Sequence, residues 1–127
     1  MKLMEGALNW FEIPVNDIDR AQRFYEGIFS IQMRQTVVGK GLKVAVFPVT
    51  PDGVGGALCE HKGFYTPSHD GTLVYLNGDP DLQEVLDKVE DYGGRVVILK
   101  NHISPQFGYM AVFEDPEGNR VALRSMQ

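Results

Sequence analysis

Two separate stretches of this chain carry the same helical stripe. Ala21, Phe24, Tyr25 and Ile28 fall at positions 0, 3, 4 and 7 of one face, and Leu82, Val85, Leu86 and Val89 repeat that spacing. Apolar residues at this interval mark the buried side of a helix. Each stripe follows an alternating run and precedes three short β-rich runs. In residues 8–15, Phe11, Ile13 and Val15 share one face while Trp10 and Glu12 take the other. Asn16-Asp17 then offers an N-cap, and the spacing predicts a helix over 18–28. Strands are expected at 31–38, 42–49 and 54–60, parted by Gly39-Lys40-Gly41 and Pro51-Asp52-Gly53.

The order recurs after residues 61–71, a stretch rich in Gly, Pro, Ser and Asp that reads as a linker. A strand is expected at 72–77, followed by a helix that Asp79-Pro80 opens and Gly93-Gly94 ends. Strands then follow at 95–99, 109–113 and 120–123, the last two joined by the turn Asp115-Pro116-Glu117-Gly118. The expectation is an α+β chain forming a single domain over 1–127. Its modules, 1–60 and 71–127, are each βαβββ with one helix on the outer face, and 61–70 link them. A ferredoxin-like βαββαβ arrangement is the rival, but it places two strands between its helices where four are found here.

A chain of 127 residues, 43% hydrophobic and 23% charged, can bury a core without a disulfide or metal. Its single cysteine, Cys59, excludes an internal disulfide and favours no oxidising compartment. The start, MKLMEGALNW, is too short and too broken by Glu5 for a signal-peptide core. No apolar run approaches the roughly 18 residues of a membrane helix. The expected address is therefore the cytoplasm, with no membrane partner. A net charge of -5 argues against nucleic acid, which needs clustered Lys and Arg, and its long-range field favours a neutral or cationic ligand.

Several strings carry a resemblance: FEIPVNDIDRAQRFYEGIF at 11–29, GTLVYLNGD at 71–79, EDYGGRV at 90–96 and FEDPEGNRVAL at 113–123. In this order they resemble the vicinal oxygen chelate superfamily, which includes glyoxalase I, extradiol dioxygenases and bleomycin-resistance proteins. The resemblance implies mixed sheets curved around a concave cavity, and paired modules that assemble as a homodimer. It also implies a divalent metal held by His and Glu from the first, fourth, fifth and eighth strands. Those positions fall near Trp10, near Leu73 and at Ala122, with Glu60 as the candidate on the fourth strand. Trp, Leu and Ala offer a metal no lone pair, so neither the usual metal nor any other cofactor is expected. His61, His69 and His102 lie in expected loops at no metal-binding spacing.

Glu12 is the candidate catalytic residue, a mid-strand carboxylate opposite the helix face that could serve as base or as a ligand anchor. Its bland alternative is an ion pair with Arg120 or Arg124. Tyr75 and Asn77 share a face by parity and suit ligand orientation. Tyr109, beside Gly108, is placed at the cavity entrance, and Trp10 and Phe113 are placed as stacking surfaces, although large aromatics are more often core. Cys59 reads as packing, and Gly53-Val54-Gly55-Gly56 as turns. The expected function is binding of a small molecule between the modules, metal-free, with or without a weak enzymatic activity. The alternatives are a metal-dependent lyase or dioxygenase of the same superfamily, and a drug-sequestering resistance protein.

Overall fold

The computed structural model describes residues 6–127. Met1–Glu5, part of the stretch read as no signal peptide, lie outside the described residues. The first module contains β1 (Trp10–Pro14), α1 (Ile18–Phe29), β2 (Arg34–Val38), β3 (Leu42–Val46) and β4 (Gly55–Glu60). The second contains β5 (Tyr75–Asn77), α2 (Gln83–Leu86), β6 (Arg95–Ser104), β7 (Gly108–Glu114) and β8 (Arg120–Ser125). Two four-stranded sheets result, ordered β1-β4-β3-β2 and β5-β8-β7-β6. In each, the last strand returns beside the first and parallel to it, while the remaining pairs are antiparallel. The fold is the α+β pair of βαβββ modules that the sequence predicts.

The register of β1 against β4 sets which side chains meet the core. Ile13 lies opposite Leu58, and both are buried under α1, whereas Glu12 lies opposite Ala57 on the other face. Gly55 and Gly56, which fall in both the strand expected at 54–60 and the glycine-rich turn read at 53–56, are strand residues. A Cβ on Gly56 would overlap the Phe11 ring, and one on Gly55 would stand 2.9 Å from Trp10. The paired glycines thus admit a large aromatic on each face of the sheet.

Asp17 caps α1, its carboxylate accepting from the Arg20 amide at 3.1 Å. The stripe of this helix binds the two halves into one core. The Phe24 and Tyr25 rings lie 5.6 and 6.2 Å from Phe113 of the second module, and Tyr25 also meets Phe47 at 5.6 Å. Burying each such ring contributes about 1.5–3 kcal/mol.

The second helix is shorter than its stripe suggests. Leu82, Leu86 and Val89 are buried as expected, but the Lys88 and Val89 amides bond back three residues rather than four. That tightening ends the α-helix at Leu86. Gly94 follows because a Cβ there would meet Phe24 at 2.7 Å and the Glu114 carbonyl at 2.8 Å. Strand β6 runs on to Ser104, so His102 is a strand residue and not a loop one.

The turn between β7 and β8 does more than reverse the chain. Asp115 accepts from the Glu117 and Asn119 amides at 2.9 Å each, from Asn119 Nδ2 at 3.0 Å and from Tyr25 Oη at 2.7 Å. Burial still pushes its carboxyl above the ordinary value, against the lowering by these donors. Glu117 reaches into the first module, where it accepts from the Asn16 and Asp17 amides at 2.8 Å each and from Arg20 Nε at 2.6 Å. Asn119 Nδ2 donates to the Pro14 carbonyl at 2.7 Å. Replacing Glu117 with Ala strands two amides and a guanidinium at once. The expected loss is about 3 kcal/mol, or roughly 10 °C in Tm, measured by urea and thermal unfolding. A change within error would show that the turn does not hold the modules together.

Candidate ligand-binding site

Between β1 and the β5–β8 pair lies a crevice of about 630 Å³. Trp10, Glu12, Tyr75 and Arg120 line it, with Ser68 and Asp70 from the connecting segment. Trp10 and Tyr75 are each close to half exposed, at 45% and 48%, so aromatic surface faces the opening. Strand parity explains the first wall, since Trp10 and Glu12 alternate with Phe11 and Ile13.

Glu12 makes neither of the ion pairs weighed for it. Tyr65 Oη donates to its Oε1 at 2.6 Å and Trp10 Nε1 to its Oε2 at 3.2 Å. Both donors are neutral. The bond to Glu12, followed by burial, raises the Tyr65 phenol well above its ordinary value. Tyr65 comes from the segment read as a linker. Its ring folds back over Val44, Ala57 and Cys59, the small buried floor on the same face of the first sheet. The one signal for it in the sequence was an aromatic pair, Phe64-Tyr65, in an otherwise polar stretch.

Trp10, Glu12 and Tyr75 are brought together, but the other three candidates are not. Asn77 shares the face of Tyr75 yet lines the adjoining hollows, and its Oδ1 accepts from the Asp79 amide at 2.8 Å. Phe113 must be corrected to a core residue, fully buried against Phe24 and Tyr25. Tyr109 shares its face, because residues 109, 111 and 113 point together along β7. It packs on the main core with Lys100 Nζ 4.6 Å from its ring centroid and His102 stacked edge-on. Neither residue reaches the crevice, the reason being the phase of one strand.

Glu60 points to the helix side of β4, where its Oε1 accepts from the Ile18 amide at 2.8 Å. It serves the N-terminus of α1 and is turned away from the crevice. Trp10, Leu73 and Ala122, which stand at or near the positions where the resemblance implies metal ligands, have side chains with no lone pair suited to a divalent ion. Among the described residues no three His, Cys, Asp or Glu side chains converge elsewhere.

A model of the Glyoxalase/Bleomycin resistance protein/Dioxygenase superfamily matches residues 7–123. A glyoxylase-like domain-containing protein of Didymella fabae is 29% identical over 128 residues, covering 95% of this chain and 94% of its own. Among solved structures, a glyoxalase/bleomycin resistance protein/dioxygenase family enzyme from Burkholderia phytofirmans PsJN superposes with a TM-score of 0.68 at 15% identity, covering 96% of this chain and 100% of that one. A glyoxalase I mutant from Zea mays gives 0.72 at 17% identity, covering 94% of this chain and 45% of the maize chain. These two likenesses concern the fold.

Cys59 lies on the crevice side of β4, fully buried. Burial pushes its thiol up to about 11; the Glu12 charge adds to that rise and the Tyr65 hydroxyl opposes it. At pH 8 roughly a thousandth of it is thiolate. Alkylation by iodoacetamide should therefore run at least about 100-fold slower in the native protein than in urea, and accelerate as pH rises toward that value. Labelling at the denatured rate at pH 8 would refute this environment.

Proposed function

The chain belongs to the glyoxalase/bleomycin resistance protein/dioxygenase superfamily, and on that premise we propose that it binds a small organic molecule in the crevice between β1 and β5. It does so without the divalent metal that enzymes of this superfamily often hold. The observation that carries this is the cavity of about 630 Å³, on which an oriented carboxylate, Glu12, sits with the half-exposed rings of Trp10 and Tyr75. Small-molecule sites are typically about 300–1,000 Å³, apolar in wall and supplied with a few placed polar groups. Support for the metal-free reading is the donor set itself, since Trp10, Leu73 and Ala122 replace the ligands and Glu60 caps a helix.

Glu12 anchors the ligand in this proposal. Both its oxygens already accept a hydrogen bond, so an incoming donor shares the carboxylate with Tyr65 or displaces it. We place the protein in the cytoplasm, given its lone reduced cysteine; among the described residues no helix is long and apolar enough to cross a membrane. The domain is read as one unit of two modules, 1–60 and 71–127, with 61–70 between them.

We also propose a two-fold homodimer. Strand β2 is exposed along its whole length, Val37 and Val38 included, and β6 exposes Ile98 and Leu99. Apolar edges of this kind invite strand pairing or burial by a second copy. Sedimentation at micromolar concentration should give twice the chain mass, and a monomer there would sink the assembly.

The functional bet is tested on Glu12→Gln. Thermal-shift screening of small organic molecules, with and without divalent cations, should find ligands whose effect needs no metal. The variant should keep the fold and bind such a ligand at least about tenfold more weakly, a loss of about 1.4 kcal/mol. Lowered stability with intact affinity would instead make Glu12 a structural residue.

A further inference from the structure

Resting on the crevice as a binding site, we infer that the molecule whose donor Glu12 accepts also carries a carboxylate, held by Arg120, on a flat and largely apolar body. The carboxylates on this side of the sheets are engaged by partners other than Arg120. Glu12 has neutral donors on both oxygens. Glu114 faces Arg120 directly across the β7–β8 register, yet gives its carboxylate to Arg95 at 2.9 Å and lies 3.5 Å from His69.

Arg120 is left without a counter-ion among the described residues. Its Nη2 donates to the Gly71 carbonyl at 3.3 Å, a long bond. Its Nε is buried and has no hydrogen-bond partner among the described residues. An unmet buried donor is disfavoured, and a guanidinium with no acceptor more so. Nε and Nη2 together form the side-on fork that takes a carboxylate through two parallel bonds. The same crevice presents Trp10 and Tyr75 for the ligand's body. The net charge of -5 is screened over about 8 Å, but Glu12 and Asp70 line the same crevice and oppose an anion, so an acid binds only where its gain from the unpaired guanidinium at contact exceeds that repulsion.

Trp10 is the chain's one tryptophan, so its fluorescence reports on this crevice alone. Benzoate and phenylacetate, with benzamide and phenylacetamide as neutral counterparts, can be titrated against the wild type, Arg120→Gln and Arg120→Lys. The carboxylates should change Trp10 emission at concentrations at least about tenfold below their amides. Arg120→Gln should abolish that preference, and Arg120→Lys should restore part of it. Without ligand, Arg120→Gln should melt close to the wild type, because the one protein bond lost, to the Gly71 carbonyl, is long. If acids and amides bind equally and Arg120→Gln changes neither, the crevice remains a binding site and the carboxylate inference falls. A strongly destabilised Arg120→Gln would also overturn it, as the guanidinium would then be satisfied within the fold. If no compound perturbs Trp10, both this inference and the binding reading beneath it fail.

Discussion

The turn from Asp115 to Asn119 makes a single body of two sheets that, among the described residues, share no strand pairing. Three side chains in five residues do this. Asp115 bonds the Tyr25 hydroxyl, Glu117 takes the amides that open α1, and Asn119 holds the last carbonyl of β1. A helix N-terminus presents unsatisfied N–H groups and a partial positive charge, and an acidic side chain from another module is a strong partner for both. Glu60 performs the same service at Ile18 from within the first module. With these contacts and the Phe24–Tyr25–Phe113 cluster, the position of β1 relative to β8 is fixed at one end, and with it the opening between the modules.

What lies in that opening follows from alternation along the strands. Once Ile13 and Leu58 go under α1, Glu12, Trp10 and Cys59 must go the other way. The same rule on β8 sends Leu123 into the core and turns Arg120 to the opposite face, while Val121, buried in the core, still borders the crevice. The polar character of the site is thus a product of core packing, with Tyr65 added from outside the sheets to hold Glu12 in one orientation.

Much of this was legible in the sequence. Helix α1 and the strand order followed from the stripes and turn residues, since periodicity and Gly/Pro punctuation are local signals. The face of Glu12 was equally local. What escaped depended on contacts distant in sequence. The early end of α2 reflects three-residue bonding after Leu86, which the buried stripe through Val89 conceals. Phe113 and Tyr109 went to the wrong surface because β7 contains too many apolar residues for its phase to be read without a partner strand. Tyr65 was hidden in a polar segment, and its partner stands 53 positions away. The sequence offers Arg120 only as a mate for Glu12, because its isolation depends on Glu114 bonding Arg95 across the β6–β7 pair.

The absence of backbone hydrogen bonds between β1 and β5, among the described residues, gives the crevice an unusual mechanical character. In a continuous sheet, widening a gap by an ångström means stretching a ladder of N–H···O contacts. Here the jaws are two free strand edges, closed at their base by the Asn119 contacts and elsewhere only by side chains. Exposed side chains change rotamer within nanoseconds, so a gap bounded by them can change width without breaking a strand hydrogen bond. Its selectivity then falls on the few fixed polar atoms deep in the jaw, more than on the shape of the rim.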